Sequence, residues 1–475
     1  MNMNHNYCDS IKTTFLTDEK KKAIHEATLD LLENCGVTME SKQAKELLYS
    51  FGAQVTSQDI VKIPCHLVER ALNSTMPKIV IYDRDGNPAM EVGGTNLYFG
   101  SNSEDLEMME PFTGKTRKFL IQDRLLLTRV IDALPNMDFA MCGGIAADEN
   151  PAIADRTSFT GTAVFTKKPL VFSAAEGLDT CKEIIQAAEI IAGGEKELSD
   201  KPFIMNLSDP LSPLRNTNRS LNNLITCAEK KIPVIYMPYL LVGGTAPVTM
   251  MGALIQSNAE VLSGLVVSQL MREGTPFIYG SMPAPFDMRT TIGTFGSPEF
   301  HIMVAAAADM AQYYRLPFFG TAGTTDAFVV DEQAVMEATM SVMMTCLSKA
   351  NLAHDVGLMY HCNIISPYLI VLCNEIINMV RPMRRGIKMD EEQMALGLIT
   401  KVGPGGQYIT EEHTFKFFRD FWYPELLDRS MFGGGKSLKD KINDKLKTII
   451  ESHELPVLGD DKLKELKKLE NRWRS

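Results

Sequence analysis

The chain has 475 residues, 45% hydrophobic and 23% charged, with a formal net charge of −11. That is ordinary globular composition with enough chain for a large buried core, and the acidic balance argues against nucleic acid as a partner, because phosphates call for a basic surface. Nine cysteines, an odd number with no CxxC pair, read as reduced thiols of a cytoplasmic protein and not as a disulfide framework. Residues 1–15 are polar and lack the apolar core of a signal peptide. No uninterrupted apolar run reaches about 18 residues, so no membrane span is expected.

Thr17 to Asn34 reads as a helix, with Thr17 as its cap and Ile24, Ala27, Leu31 and Leu32 in its apolar stripe. Ser41–Phe51 and His66–Leu72 read as two more helices. Lys78–Tyr82 and Ala89–Val92 flank the turn sequence Asp83-Arg84-Asp85-Gly86-Asn87-Pro88 and predict a hairpin. Residues 1–93 are therefore expected to form an α+β cap.

From Asn96 a rhythm sets in. Eight short apolar or aromatic runs recur, each followed by small or polar residues and then a helical stretch. They begin at Leu97, Phe139, Leu170, Phe203, Val234, Phe277, Phe318 and Ala350. Five follow a proline directly: Pro169, Pro202, Pro233, Pro276 and Pro317. Proline suits the first position of a strand, where its missing N–H costs least. The spacing, roughly 30–45 residues, is one strand–helix unit, and eight such units predict a closed (β/α)8 TIM barrel over residues 94–365. An open doubly wound sheet would call for a glycine-rich phosphate turn after an early strand, and none is present. Helices are expected at Ser366–Met383 and Asp390–Lys401. A Gly403-Pro404-Gly405-Gly406 turn follows, and then an amphipathic tail, Lys436–Trp473, with a solvated lysine-rich face. Residues 366–475 form a C-terminal helical extension on this reading.

In such a barrel the chemistry sits just after each strand. Those positions hold no lysine, which weighs against Schiff-base chemistry. They hold no histidine–carboxylate set at metal-ligand spacing, which weighs against a hydrolytic metal centre. Cys346, His361 and Cys362 are the one candidate zinc set. His354 ends the eighth strand beside Asp355, either as a core histidine satisfied by a carboxylate or as a donor to a substrate carboxylate. Tyr98, Phe99, Tyr239 and Phe328 lie at or after strand ends, as barrel core or as an aromatic cage for a quaternary ammonium. The glycines at Gly143-Gly144, Gly243-Gly244 and Gly320 with Gly323 fit tight turns or room above the barrel equally well.

Several motifs in order resemble the trimethylamine methyltransferase family. They are Tyr98-Phe99-Gly100, Pro111-Phe112-Thr113-Gly114, Leu134 to Phe139, Asp331-Glu332-Gln333 with Glu337, and Ala350 to Gly357. Glu375-Ile376, Val402 to Gly406, His413-Thr414 and Pro424 to Arg429 complete the series. The resemblance covers nearly the whole chain. It implies a barrel that hands a methyl group to the cobalt of a corrinoid (cobalamin) carried by a partner protein. The best-known members contain pyrrolysine and demethylate trimethylamine. This chain has only ordinary residues, so it resembles the branch without pyrrolysine. The position equivalent to pyrrolysine falls within Thr321–Asp326.

The resemblance thereby implies a quaternary amine of betaine type as the methyl donor: glycine betaine, proline betaine, carnitine or a relative. Demethylating it leaves a neutral tertiary amine, so no general acid is needed, and binding, orientation and desolvation carry the rate. On this reading Tyr98, Phe99 and Phe328 face the cation, and His354 or Arg289 meets a carboxylate. Asp326 or Glu332 adds negative potential. Arg315 precedes the seventh strand, at the wrong end. No tightly bound metal is expected, and a homo-oligomer is an open possibility. The alternatives are a non-catalytic quaternary-amine binder and a zinc-dependent methyltransferase using Cys346, His361 and Cys362.

Overall fold

The computed structural model describes residues 13–429 and 435–474; the reading of residues 1–12 lies outside them. Eight parallel strands form the central sheet: β1 (Tyr98–Phe99), β2 (Ala140–Met141), β3 (Leu170–Ser173), β4 (Ile204–Ser208), β5 (Val234–Tyr236), β6 (Phe277–Gly280), β7 (Phe318–Thr321) and β8 (Leu352–His354). Each pairs with the next, β8 pairs back onto β1, and a parallel bridge between Gly100 and Phe139 joins the last gap between β1 and β2. The (β/α)8 barrel expected from the sequence is the fold, strand for strand.

The prolines act as their placement predicts. The carbonyls of Pro169, Pro233, Pro276 and Pro317 accept N–H groups from Ala140, Asn206, Val234 and Tyr279 on the preceding strands. The fifth, Pro202, accepts Tyr82 N from the hairpin. Each proline thus uses its acceptor and has no donor to leave unpaired.

Eight helices follow the strands: α1 (Ile121–Ala133), α2 (Ala154–Ala163), α3 (Thr180–Ala192), α4 (Asn218–Lys230), α5 (Met250–Met271), α6 (Pro298–Tyr313), α7 (Glu332–Leu347) and α8 (Pro367–Val380). α5 alone among the described helices is long and apolar enough to cross a membrane, yet most of it is buried within the protein. Barrel strands lie on one side, and the N-terminal helices Asp18–Asp30, Lys42–Ser50 and Cys65–Asn73 on the other. Burial from both sides explains why α5 lacks a polar face. Its buried Asn258 is satisfied inside: it donates to Thr28 Oγ1 at 2.8 Å and to Tyr314 Oη at 2.9 Å, and accepts from Tyr279 Oη at 3.0 Å.

The hairpin Lys78–Tyr82 with Pro88–Gly93 lies against the amino ends of β3 and β4, through Arg84 N to Lys167 O and Tyr82 N to Pro202 O. The C-terminal part differs in detail from its sequence reading. The helix expected over Asp390–Lys401 is split into Glu391–Met394 and Leu396–Val402, because Ala395 between them takes a left-handed conformation (φ 49°). The tail is two helices, α9 (Leu438–Ser452) and α10 (Asp460–Arg474), separated by a segment containing Pro456. Their lysines face solvent, while Ile442, Leu446, Ile449, Leu466 and Leu469 are buried, α9 against α8 and α1 and α10 against α3.

Ring closure depends on one glycine. A Cβ on Gly100 would come within 2.2 Å of the Phe139 ring, which is fully buried and faces Phe319 at 6.4 Å. Gly100→Val should therefore lower the unfolding free energy by about 1–3 kcal/mol, the usual cost of overpacking. Urea denaturation measures it, and adding Phe139→Leu should return part of the loss. An unchanged midpoint would mean that the closure tolerates a larger separation.

Candidate functional site

The carboxyl ends of the strands carry a group of buried oxygen acceptors. The β1 segment runs on past the ring through Ser101 and Asn102 into a short strand, Ser103–Asp105, which pairs with Gly143–Gly144 after β2. The backbone after β8 ties in beside it, with Val356 N donating to Gly100 O at 3.2 Å and Asp355 N to Ser101 O at 3.4 Å. Two acidic residues of these segments have unusual backbones: the exposed Glu104 has φ 75° and the buried Asp355 has φ 71°. The left-handed region costs an L-residue roughly 1–2 kcal/mol, so other contacts hold them there.

Asp105 is buried, and neither carboxylate oxygen has a hydrogen-bond partner. Asp355 Oδ2, Asn102 Oδ1, Asn206 Oδ1 and Thr321 Oγ1 are likewise buried and unpartnered. Burial pushes the Asp105 carboxyl well above its usual range; the neighbouring Asn102 amide opposes the shift, and the charges of Asp355 and Glu104 add to it. Asp355 is raised mainly by burial, and His354 opposes the shift. Asp155 is raised by burial too, with Glu104 again adding. The Cys362 thiol is held protonated by burial and by the carboxylates of Asp355, Asp105 and Asp326. This arrangement disfavours negative charge, and it can accept donors or a cation.

His354 Nδ1 lies 2.7 Å from Gly320 O and Nε2 lies 3.2 Å from Asp355 Oδ1, with the ring 4.4 Å from that of Phe319. A carbonyl only accepts, so Nδ1 donates. The Nε2 contact then needs a second proton, on either partner. Of the two roles weighed for His354, the geometry matches the first: it supports Asp355.

An aromatic and histidine group stands on the β5–β8 side. Tyr239 stacks on Phe295 at 6.2 Å and 16°, and Phe328 meets Tyr360 edge-on at 4.9 Å. Tyr360, His361 and Cys362 are three consecutive left-handed residues (φ 48°, 57° and 64°). The turn they make brings His361 Nδ1 to 3.1 Å from Gly293 O and 3.3 Å from Asp326 Oδ1. Asp326 also accepts Phe295 N and Gly296 N at 2.9 Å, so it fixes the β6 and β8 loops to its own.

The structure sorts the residues singled out from sequence. Asp326, Phe328 and His354 are at the mouth. Tyr98 is not: its ring is buried and its hydroxyl accepts Glu91 N of the hairpin at 3.0 Å, towards the amino ends of the strands. Phe99 lies beneath Arg381, whose guanidinium is 5.2 Å from the ring, outside the mouth. Arg289 is exposed on the β6 loop, where its N–H meets Asp287. Glu332 is exposed in the first turn of α7, on an outer groove. The zinc set is split: Cys346 is buried on α7 near Arg384 and Arg381, whereas Cys362 is at the mouth. Among the described residues no three His, Cys, Asp or Glu side chains group as metal ligands. Glu104 and Asp105 were passed over in sequence, although two adjacent acids within six residues of a strand end were a usable signal.

The buried Asp105 charge should cost stability. A carboxyl whose folded pKa is raised favours the fold only below its unfolded value of about 3.9 and costs stability as pH rises through the folded pKa. Asp105→Asn keeps the shape and removes the charge. The variant should be more stable than the parent at pH 8, by about 1–3 kcal/mol, with the gap closing below about pH 4. Denaturation across pH measures this; a variant less stable than the parent at pH 8 would show that Asp105 is compensated.

The profile of the family described as trimethylamine methyltransferase (MTTB) matches residues 4–474. Trimethylamine methyltransferase MttB of Desulfitobacterium hafniense is 32% identical over 92% of this chain and 89% of its own length. Glycine betaine methyltransferase of D. hafniense strain Y51 is 30% identical over 89% and 88%. The monomethylamine methyltransferase (MtmB) structure from Methanosarcina barkeri shares the fold, with a TM-score of 0.51 at 10% identity over 99% of this chain and 89% of that one. The MtmB hydroxylamine complex gives 0.53 over 97% and 88%. The chain belongs to the trimethylamine methyltransferase family, and it is a methyltransferase.

Proposed function

We propose that this methyltransferase takes its methyl group from a quaternary amine of betaine type and passes it to the cobalt of a corrinoid held by a separate protein. The observation that carries the reading is the set of buried, unpartnered acceptors of Asp105, Asp355, Asn102, Asn206 and Thr321 at the mouth. A fixed positive charge answers such a set without needing protons of its own. Glycine betaine methyltransferase among the relatives supports the same donor class. The ordinary residues throughout the sequence support it too, since a quaternary donor requires no special activation of its leaving group.

The ammonium head would lie between the Asp105–Asp355 side and the exposed face of Tyr239, whose ring supplies a cation–π surface. The donor's carboxylate would point outward, towards Arg219 in the first turn of α4 and Arg289 on the β6 loop. Bound corrinoid supplies a cobalt(I) nucleophile. Its electron pair would form the bond to the methyl carbon, taking cobalt(I) to cobalt(III), while the C–N pair would stay on nitrogen and the amine would leave uncharged. No proton moves, so the protein's work is to bind, align and exclude water. The rim fits a protein partner: Leu106, Ile145, Leu178, Leu211, Val248 and Met288, with Phe328 and Tyr360, give each of the eight loops an exposed apolar side chain.

Incubation with cobalt(I) corrinoid protein and each candidate donor, followed by the visible spectrum of methylcobalamin, tests this. Methylcobalamin should form with at least one betaine and not with trimethylamine. Turnover of trimethylamine alone, or no transfer from any quaternary amine, would overturn the reading. Tyr239→Leu should weaken donor binding about 2- to 30-fold, the range of a lost cation–π contact. Asp105→Asn should lower kcat/KM while raising stability, an exchange common at sites built for function.

A further inference from the structure

Between α8 and α9 the chain makes an arm, residues 386–423, that is firmly tied at both ends. On leaving α8, Arg381 bonds Asn136 Oδ1 at 2.8 Å and pairs with Asp138, and Arg384 donates to Thr95 O at 2.5 Å. On return, Glu375 Oε1 of α8 accepts Glu425 N at 2.9 Å and Leu426 N at 3.1 Å. None of the arm's helices, Glu391–Met394, Leu396–Val402, Glu412–Phe417 and Phe418–Asp420, buries a single residue. Its large apolar side chains stand in water: Ile387 is 95% exposed, Met389 86%, Ile409 79%, Phe415 77%, Phe421 81% and Tyr423 77%.

Two properties of the arm define what would cover it. Two of its charge pairs are internal, Lys401 with Glu411 at 2.8 Å and Lys416 with Glu392, and its remaining acids and bases are mixed along the segment, so no strong single-sign field selects a highly charged partner. Its aromatic side chains, at about 150–250 Å² each, together with the aliphatic ones, offer about the 800 Å² per partner of a standard protein interface. Permanent interfaces between copies are the more apolar kind. The arm's first anchors, Thr95, Asn136 and Asp138, precede β1 and β2. It therefore leaves from the amino end of the barrel.

The same chain carries a receptor of matching chemistry. α7, α8 and α9 frame an open groove of about 610 Å³ lined by Val335, Met336, Met340, Met343, Tyr368 and Leu372. Met336 and Met340 are 64% and 48% exposed. Methionine side chains adapt to an incoming apolar surface. We propose that the arm of one copy lies in the α7–α8–α9 groove of a second copy, reciprocally, making a two-fold dimer. Self-association through the arm stands or falls independently of the reaction at the mouth.

Sedimentation velocity of the full chain at micromolar concentration should show a dimer or an even-numbered assembly. Phe415→Asp with Phe421→Asp should give monomers, and so should Met336→Asp with Met340→Asp. All four positions are exposed, so both variants should keep the parent's circular dichroism. An equal mixture of the two variants should recover dimers, because one intact arm then meets one intact groove. A monomeric parent would overturn the proposal. So would an assembly that either pair of substitutions leaves unchanged, or variants that stay monomeric when mixed.

Discussion

Asp105 and Asp355 sit inside the protein with three carboxylate oxygens, both of Asp105 and Oδ2 of Asp355, that have no hydrogen-bond partner, while Asp355 Oδ1 meets His354. A buried acceptor without a partner costs folding free energy, about 1–3 kcal/mol each and more when charged. A fold keeps such groups only where the surroundings over-determine them. Here the surroundings are specific. Asp355 is held in a left-handed conformation by backbone bonds to the β1 segment and braced by His354, itself fixed to Gly320 O. Asp105 sits in a short strand paired to Gly143–Gly144, where a side chain on Gly144 would strike Asp105 O at 2.6 Å. The scaffold therefore holds acceptor oxygens in place before any ligand arrives, and a bound cation favours their ionised form. Preorganisation of that kind lets a site act on a charged substrate without rearranging.

The barrel makes this possible by dividing its tasks. Closure at Gly100 and Phe139, the proline-led strand starts and the hairpin at the amino ends form a rigid base. The N-terminal helices cover α5, which lets that helix be apolar throughout. The carboxyl ends are left to loops that can afford strain, and there the left-handed residues Glu104, Asp355, Tyr360, His361 and Cys362 gather.

The strands were legible because seven of the eight combine a proline or a glycine with a short apolar run, and eight strand–helix units have few alternative folds. The mouth was less so. Tyr98 and Phe99 belong to a strand of only two residues, too short to distinguish its two ends by pattern; Tyr98 turns out to serve the hairpin and Phe99 the Arg381 contact. Asp105 escaped because the chain after β1 continues extended beyond the ring, placing its acid several residues past the strand end. His361 and Cys362 were read as possible metal ligands, but their backbone turn, invisible in sequence, sends His361 to Gly293 and Asp326. Glu375 and the Pro424–Arg429 motif carried family resemblance with no evident role, and the structure supplies one: the first anchors the second.

The central claim is that the mouth recognises a fixed positive charge and not merely the shape of a trimethylated head. Titration calorimetry comparing glycine betaine with 3,3-dimethylbutyrate, in which an uncharged tert-butyl head replaces the trimethylammonium and the carboxylate is kept, tests it most directly. Betaine should bind at least about tenfold more tightly, a difference of about 1.4 kcal/mol, and the preference should grow as pH rises and Asp105 and Asp355 ionise. Equal affinity for the two, at every pH, would contradict it.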